Sequence, residues 1–159
     1  MLEFQDVRIV QGTFTLLADF TVPAGRKVAV IGPSGAGKST LLAALGGFVP
    51  LARGRILCGG EDISETPPGA RPLSMLFQDS NLFPHLTVRQ NVGLGVNARL
   101  RLSADEMSQV DEALARVGLA GFEARRPGAL SGGQQSRVAL ARVLVQRNPV
   151  LLLDEPFSA

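Results

Sequence analysis

The sequence contains no tryptophan, no tyrosine, one cysteine and one histidine. Because Cys58 is the single cysteine, an internal disulfide is excluded, which fits a reducing compartment. The 8 phenylalanines are few for a platform that stacks nucleic-acid bases. The formal net charge is only +2, and no basic run offers a surface for phosphate backbones. We therefore expect no nucleic acid among the partners of this chain.

A long hydrophobic run is also missing. No apolar stretch approaches the ~20 residues that a membrane-spanning helix needs. The first ten residues, MLEFQDVRIV, lack the basic and apolar regions of a secretory signal. The hydrophobic content of 45% argues against disorder, and 159 residues suffice for one domain with a core. We expect a soluble or peripherally bound α/β domain.

Residues 28–40, VAVIGPSGAGKST, combine an apolar run with a glycine-rich loop. The apolar run 28–31 predicts a buried parallel strand, and a helix is predicted from about Lys38. Residues 32–39 fit G-x-x-x-x-G-K-[ST] at every fixed position. Glycines allow backbone N–H groups to point at phosphate oxygens, and the helix N terminus adds a positive dipole. A ligand-free turn is the alternative interpretation. The predicted nucleotide-binding residues are Gly32, Pro33, Ser34, Gly35, Ala36, Gly37, Lys38, Ser39 and Thr40.

The other elements follow from hydrophobic spacing and from capping residues. Strands are predicted over 2–10 and 13–22, as a hairpin or as two short strands, and over 53–58, 73–77 and 150–153. Helices are predicted from the glycine loop to Gly46, after Thr87, from Ser103 to about 117, and from Gly133 or Gln134 to about Gln146. Residues 61–72 and 119–130 are predicted to be loops.

Two acidic residues, Asp154 and Glu155, directly follow the apolar run 150–153. A buried strand would deliver them at its carboxyl end, where open α/β sheets bind ligands. Asp154 can support Mg²⁺ coordination through water, and Glu155 can accept a proton from an attacking water or orient it. A solvated strand end is the alternative for this pattern alone, but the glycine loop favours the catalytic interpretation.

The segment LSGGQ, residues 130–134, places a serine and two glycines before a predicted helix. Such a segment is a second anion-binding helix N terminus. Because one nucleotide does not need two such sites, Ser131, Gly132, Gly133 and Gln134 are predicted to act on the γ-phosphate held by a partner molecule. An ordinary N-cap with flexible glycines is the alternative.

Taken together, GPSGAGKST, the pair Phe77-Gln78, LSGGQQSRVALAR and LLLDEPFSA resemble the ATP-binding cassette family of transporter ATPases, over essentially the whole chain. The resemblance implies a P-loop NTPase fold, with a RecA-like core, a mostly parallel sheet and N-terminal antiparallel strands. It assigns residues 1–78 and 148–159 to this core and 79–147 to a small α-helical subdomain. It also implies a homodimer that encloses two ATP molecules.

The resemblance further implies the site chemistry. ATP and Mg²⁺ are the implied cofactors, Glu155, Lys38 and Gln78 the implied catalytic residues, and Ser39, Gln78 and Asp154 the implied Mg²⁺ ligands. Gln78 would contact the nucleophilic water, and the segment after it would form a groove for a coupling helix of a transmembrane permease. A periplasmic solute-binding protein would be an indirect partner, at the cytoplasmic face of a bacterial inner membrane.

Within the family, residues 66–102 look most like the ATP-binding subunits of thiamine importers, while iron and polyamine importers have similar segments. A soluble ATPase outside transport and a nucleotide-binding fragment without hydrolysis are the further alternatives. Gln78 and Leu130 are only 52 positions apart, which leaves no room for the coiled-coil insertion of soluble members.

Two features depart from the family pattern. Gln11 stands where the family usually stacks adenine on an aromatic ring, and Phe14 is the possible substitute. The chain ends at Ala159, inside the next motif of the family, so we expect a truncated chain that binds nucleotide weakly and hydrolyses it poorly. His85 is expected at the surface or in a subunit contact, and Cys58 in the interior.

Overall fold

A computed structural model describes residues 1–77 and 81–154 of the chain. The chain divides into two compact units, Met1–Pro72 and Leu73–Ala159. The predicted assignment of 1–78 and 148–159 to a core and of 79–147 to a helical subdomain stays a prediction. Over the described ranges, no helix combines the length and the apolar character needed to cross a membrane.

The first unit contains a four-stranded antiparallel sheet in the order β2-β1-β3-β4. Its strands are β1 (Leu2–Gln11), β2 (Phe14–Val22), β3 (Arg53–Cys58) and β4 (Glu61–Asp62). The predicted hairpin is confirmed, because Gln11 pairs with Phe14 across a turn at Gly12. The segment 61–72 is not entirely a loop, since it contains β4 and a 3-10 turn at Pro68–Ala70. Cys58 is buried, as predicted.

Residues 28–31 do not form the predicted strand. Val28, Val30 and Ile31 are 60%, 45% and 91% exposed, and none of the described strands pairs with them. A strand needs a neighbour for its N–H and C=O groups, whereas an apolar run indicates only a preference for burial. The prediction of a buried strand was therefore wrong. The helix α1 (Lys38–Leu45) begins at the predicted residue and ends before Gly46.

The second unit contains two parallel strands and three helices. These elements are β5 (Leu73–Leu76), α2 (Val88–Gly93), α3 (Ala104–Arg116), α4 (Gly132–Leu144) and β6 (Val150–Leu153). The strands pair in parallel, with Leu73 opposite Val150. The helices pack around one cluster, which comprises Val88, Val92, Val110, Ala113, Leu114, Leu119, Leu130, Val138, Ala141 and Val145. A 3-10 turn at Pro127–Ala129 lies in the predicted loop 119–130.

Each helix of the second unit begins with a capping box, in which the N-cap side chain and the side chain three residues later bond each other's backbone N–H. The pairs are Thr87 with Gln90, Ser103 with Glu106, and Ser131 with Gln134. The predicted starts after Thr87 and Ser103 are confirmed. Helix α4 starts at Gly132, one or two residues earlier than the predicted Gly133 or Gln134, and ends at Leu144 rather than near Gln146.

Strand β6 is buried on one face only. Leu152 is buried, whereas Leu151 and Leu153 are 42% and 41% exposed. The expectation that all of 150–153 is buried was therefore wrong for half of its side chains. The antiparallel N-terminal strands, the parallel pair and the intervening helices agree with the predicted α/β class.

Candidate functional site

The glycine loop 32–37 connects the exposed segment 28–31 to α1. Gly35 and Gly37 have φ values of 79° and 90°, a region that favours glycine because other residues carry a Cβ atom that clashes there. The N–H of Ala36 donates to the carbonyl oxygen of Pro33 at 3.2 Å, which closes a turn inside the loop. The loop residues up to Ala36 are exposed, so that a ligand can reach them.

Helix α1 begins without the side-chain cap that the other three helices have. Its N-cap is Gly37, no described side chain accepts a cap hydrogen bond there, and its first turn contains no acidic residue. The first N–H groups of a helix have no partner within the helix and attract anions. The start of α1 therefore has the properties of a phosphate-binding helix N terminus.

Lys38 folds back over the loop. Its Nζ donates to the carbonyl oxygens of Gly32, at 3.0 Å, and Pro33, at 2.9 Å. These acceptors are neutral, whereas a phosphate oxygen is charged and forms the stronger bond with an ammonium group. Lys38 is thus held at the loop by bonds that an incoming anion can replace.

Two contacts from the first hairpin support the loop, and sequence reasoning did not foresee them. The Thr40 hydroxyl donates to Oε1 of Gln11 at 3.3 Å, which links α1 to the end of β1. The ring of Phe14 lies under Gly37, since a Cβ atom built on that glycine would be 2.6 Å from Cζ of Phe14. From the sequence, Gln11 stands where the family stacks adenine on an aromatic ring and Phe14 is the possible substitute, and neither expectation includes a contact with the loop. Their separation from the loop in sequence gave no signal of this contact.

The segment LSGGQ, residues 130–134, is the signature segment, and it caps its own helix. Oγ of Ser131 accepts from the N–H of Gln134 at 3.3 Å, and Oε1 of Gln134 accepts from the N–H of Ser131 at 2.9 Å. This arrangement is an ordinary N-cap, the alternative that the sequence allows for this segment. It also permits anion binding. The cap uses the serine hydroxyl as an acceptor, so the hydroxyl proton can still be donated to a phosphate oxygen. Gly132 and Gly133 are exposed beside it.

The start of α4 is held in place by bonds to the preceding chain. Nε2 of Gln135 donates to the carbonyl oxygens of Pro127 and Leu130, at 3.1 and 3.3 Å. NH1 of Arg137 donates to the carbonyl oxygen of Val117, just after α3, at 3.2 Å. These bonds fix the signature segment relative to α3.

A half-buried cation lies further along α4. Arg142 donates to the carbonyl oxygen of Asn81 at 3.1 Å, and burial lowers its pKa. This bond joins the last turn of α4 to Asn81, three residues after Gln78.

Asp154 extends the parallel strand pair by one residue, because its N–H donates to the carbonyl oxygen of Leu76 at 3.0 Å. Its side chain is partly exposed.

Gln78 and Glu155, two of the predicted catalytic residues, lie outside the described residues. The structure thus brings residues 32–40 together in the first unit and places 131–134 and Asp154 in the second. His85 is exposed, as expected, and its ring contacts that of Phe83 edge-on.

The predicted Mg²⁺ ligands fit that ion by their chemistry. Ser39, Gln78 and Asp154 offer hydroxyl, amide and carboxylate oxygens, which hard cations prefer, and Mg²⁺ is usually held by one or two carboxylates together with substrate phosphates. Among the described residues, no group of three or more His, Cys, Asp or Glu side chains could form a metal cage. The donor set is therefore that of a metal bound with a phosphate ligand.

A family model described as ABC transporter matches residues 17–158. The chain belongs to the ABC transporter family. Among curated relatives, the thiamine import ATP-binding protein ThiQ of Ruegeria sp. (strain TM1040) is 60% identical over 159 residues, which are 100% of this chain and 69% of that protein. The protein of the same name from Escherichia coli O157:H7 is 50% identical, over 100% of this chain and 68% of its own length.

Solved structures of ABC transporter cassettes have the same fold. A dimeric post-hydrolysis state of the ATP-binding cassette MJ0796, bound to ADP and Pi, has a TM-score of 0.84 and 29% identity, over 100% of this chain and 75% of that chain. A second cassette, MJ1267, has a TM-score of 0.88 at 24% identity, over 99% of this chain and 70% of that chain, and supports the fold alone. As an ABC transporter ATPase, this chain binds nucleotide, and the predicted fold is confirmed.

Proposed function

We propose that this chain is the ATP-binding and hydrolysing subunit of an importer for thiamine or its phosphates. The observation that supports ATP binding and hydrolysis is the start of α1. No described side chain caps this helix, and the side chain of Lys38 lies over the loop. The solute is inferred from relatives that are 50–60% identical and are named for thiamine import. Iron and polyamine importers are the alternatives that the experiment below separates.

Residues 32–40, the glycine loop and the start of α1, bind the phosphates of ATP through backbone N–H groups. Lys38 exchanges its two carbonyl acceptors for phosphate oxygens. Gln78 positions the attacking water, and Glu155 accepts its proton or orients it. Mg²⁺, when bound, neutralises charge on the phosphates. Ser39, Gln78 and Asp154 are the residues proposed to hold it. The oxygen of the attacking water bonds to the γ-phosphorus. The bond from this phosphorus to the bridging oxygen breaks, and its electrons stay with ADP, the leaving group, so hydrolysis yields ADP and inorganic phosphate.

The protein acts as a homodimer, in which residues 131–134 of one copy close over the ATP bound by the other. The hydroxyl proton of Ser131 and the N–H groups of Gly132 and Gly133 are the proposed donors to the γ-phosphate. A transmembrane permease binds the segment that follows Gln78, and a periplasmic solute-binding protein delivers the solute. The subunit is proposed to lie at the cytoplasmic face of a bacterial inner membrane.

The test uses the intact subunit with the membrane subunits that co-purify with it, in lipid vesicles. ATP hydrolysis should rise when a binding protein loaded with thiamine is added, and not with the empty binding protein. Stimulation by iron or a polyamine instead would assign another solute. No hydrolysis and no ATP binding by the intact subunit would overturn the enzymatic proposal.

Glu155→Gln is the matched active-site variant. It should stop turnover and accumulate an ATP-bound dimer, measured by size-exclusion chromatography, because binding is retained while proton transfer is lost. Glu112→Gln, at an exposed glutamate of α3, is the control and should hydrolyse ATP like the unmodified protein. Unchanged turnover in Glu155→Gln would remove that residue from the mechanism.

A further inference from the structure

Arg71 is a buried cation whose hydrogen bonds all go to backbone carbonyl oxygens. Its side chain is only 6% exposed. Nε donates to Thr66 at 2.7 Å and NH2 to Ser64 at 2.9 Å. NH1 donates to Ala44 at 3.0 Å and to Leu45 at 2.7 Å. One guanidinium thus joins the last turn of α1 to the segment 64–66.

The charge of Arg71 acts at an end of α1 that lacks its own basic residue. The last turn of α1 contains none, and the negative end of a helix dipole favours a cation. The guanidinium bonds four carbonyl oxygens, and the charge of Glu65 also favours it, so Arg71 is compensated by carbonyl dipoles and by Glu65. A buried cation in such a position is costly to remove, because the carbonyl groups would lose their donors.

The chain makes room for this guanidinium at Gly47. That glycine has a φ of 83°, and a Cβ atom built on it would be 2.6 Å from Nε of Arg71. Only glycine therefore allows the backbone after α1 to pass so close to the arginine.

The acceptor on the other side is itself fixed to the sheet. The Ser64 hydroxyl accepts from the N–H of Ile56 at 2.9 Å and donates to Oδ1 of Asp62 at 2.6 Å. Because Ile56 belongs to β3 and Asp62 to β4, Arg71 connects α1 to two strands of the sheet. The segment 64–66, to which Arg71 donates, is thus fixed to the sheet.

We propose that Arg71 is a positioning residue for nucleotide binding, which fixes the end of α1 to the sheet and thereby fixes the start of α1 that receives the phosphates. This inference rests on the proposed function. Helix α1 has 8 residues and is therefore about 12 Å long, so a displacement of one end is transmitted to the other. Helices this short depend on tertiary contacts for their stability.

The test measures ATP binding to the intact protein by titration calorimetry. The stoichiometry gives the fraction of molecules that are competent, and the Kd gives their affinity. Arg71→Met should raise the Kd by about tenfold, since it removes charged hydrogen bonds that hold the helix end. Arg71→Lys keeps the charge and should recover part of the affinity. Arg53→Met, at an exposed arginine of β3, is the control and should leave the Kd unchanged.

Gly47→Ala tests the same contact while Arg71 stays in place. Its Cβ atom would displace the guanidinium, so the Kd should rise here too. In the Arg71→Met background it should rise less, because only the strain of alanine at a φ of 83° remains. A fall in stoichiometry with an unchanged Kd in both single variants would mean that Arg71 serves only folding, and would overturn the inference. Absence of ATP binding in the unmodified protein would instead overturn the proposed function.

Discussion

Nζ of Lys38 lies 3.0 Å from the carbonyl oxygen of Gly32, so the side chain of the first residue of α1 contacts the first residue of the glycine loop. The ammonium group is therefore already at the loop before a phosphate arrives. Lys38→Met should weaken ATP binding by about ten- to hundredfold, because a charged hydrogen bond contributes roughly 1.5–3 kcal/mol. Calorimetry measures this change.

The control for Lys38→Met is Lys27→Met, at an exposed lysine before the loop, which also removes one positive charge. It should bind ATP like the unmodified protein. Equal losses in both variants would mean that net charge, and not the position of Lys38, governs the affinity.

Gly37 should tolerate a side chain less well than Gly35, although both have positive φ values. Alanine at either position costs about 1–2 kcal/mol of stability, because left-handed backbone strains a residue with a Cβ atom. At Gly37 that atom would also be 2.6 Å from Cζ of Phe14, whereas at Gly35 no atom lies within 4 Å. Chemical denaturation should therefore find Gly37→Ala less stable than Gly35→Ala.

Phe14→Ala provides the second half of this comparison. In its background, the extra loss of stability in Gly37→Ala relative to Gly35→Ala should shrink, because the ring is gone and only Cδ1 of Leu16, at 2.8 Å from the built Cβ atom, still collides. If Gly37→Ala and Gly35→Ala are equally stable in the unmodified protein, Phe14 does not pack against the loop.

The sequence of this chain predicts well those features that depend on residues close together in sequence. The capping box of Ser103 and Glu106, three residues apart, and the start of α1 at Lys38 follow from neighbours in sequence. Residues 28–31 were predicted wrongly because a strand depends on a pairing partner elsewhere in the chain. The bond of Thr40 to Gln11 joins residues 29 positions apart, and that of Arg71 to Ala44 joins residues 27 positions apart. No pattern of neighbouring residues predicts such bonds.

Ser131 and Ser103 occupy the same position in two capping boxes, which are completed by Gln134 and Glu106, but only Ser131 is proposed to contact ATP. Alanine at either position should lower the free energy of unfolding by about 1 kcal/mol, the usual contribution of an N-cap. Only Ser131→Ala should also lower ATP hydrolysis, because it removes a donor to the γ-phosphate. Denaturation and a hydrolysis assay on both variants separate the two effects.

The result that contradicts this role is an equal loss of hydrolysis in Ser131→Ala and Ser103→Ala. The serine of the signature segment would then act as a helix cap alone.

Gln11 offers a gain-of-affinity experiment, since it stands where the family stacks adenine on an aromatic ring. Gln11→Tyr should bind ATP about tenfold more tightly, because stacking of a base on an aromatic ring contributes roughly 1–3 kcal/mol. It should not improve the binding of inorganic triphosphate, which has no base. Gln11→Ala controls for loss of the bond to Thr40. Equal gains for ATP and triphosphate would contradict stacking.

Asp62 should make the stability of the first unit sensitive to acid. The Ser64 hydroxyl and N–H both donate to Oδ1 of Asp62, at 2.6 and 2.9 Å, and these bonds lower the pKa of the carboxyl group from its ordinary value. A carboxyl group with a lowered pKa in the folded state stabilises it above the unfolded pKa, and this stabilisation is lost as the pH falls through the folded pKa. The free energy of unfolding should therefore decrease below about pH 4, the ordinary range of a carboxyl group.

Asp62→Asn should flatten this decrease, because the amide does not titrate, and should also lower stability at neutral pH, because the charged acceptor is lost. Asp19→Asn, at an exposed carboxylate of β2, removes the same charge without touching Ser64. Denaturation curves between pH 2 and 7, on the scale of ordinary carboxyl titration, measure both variants. If both variants flatten the acid limb equally, general charge repulsion causes the acid sensitivity, and the bonds from Ser64 do not.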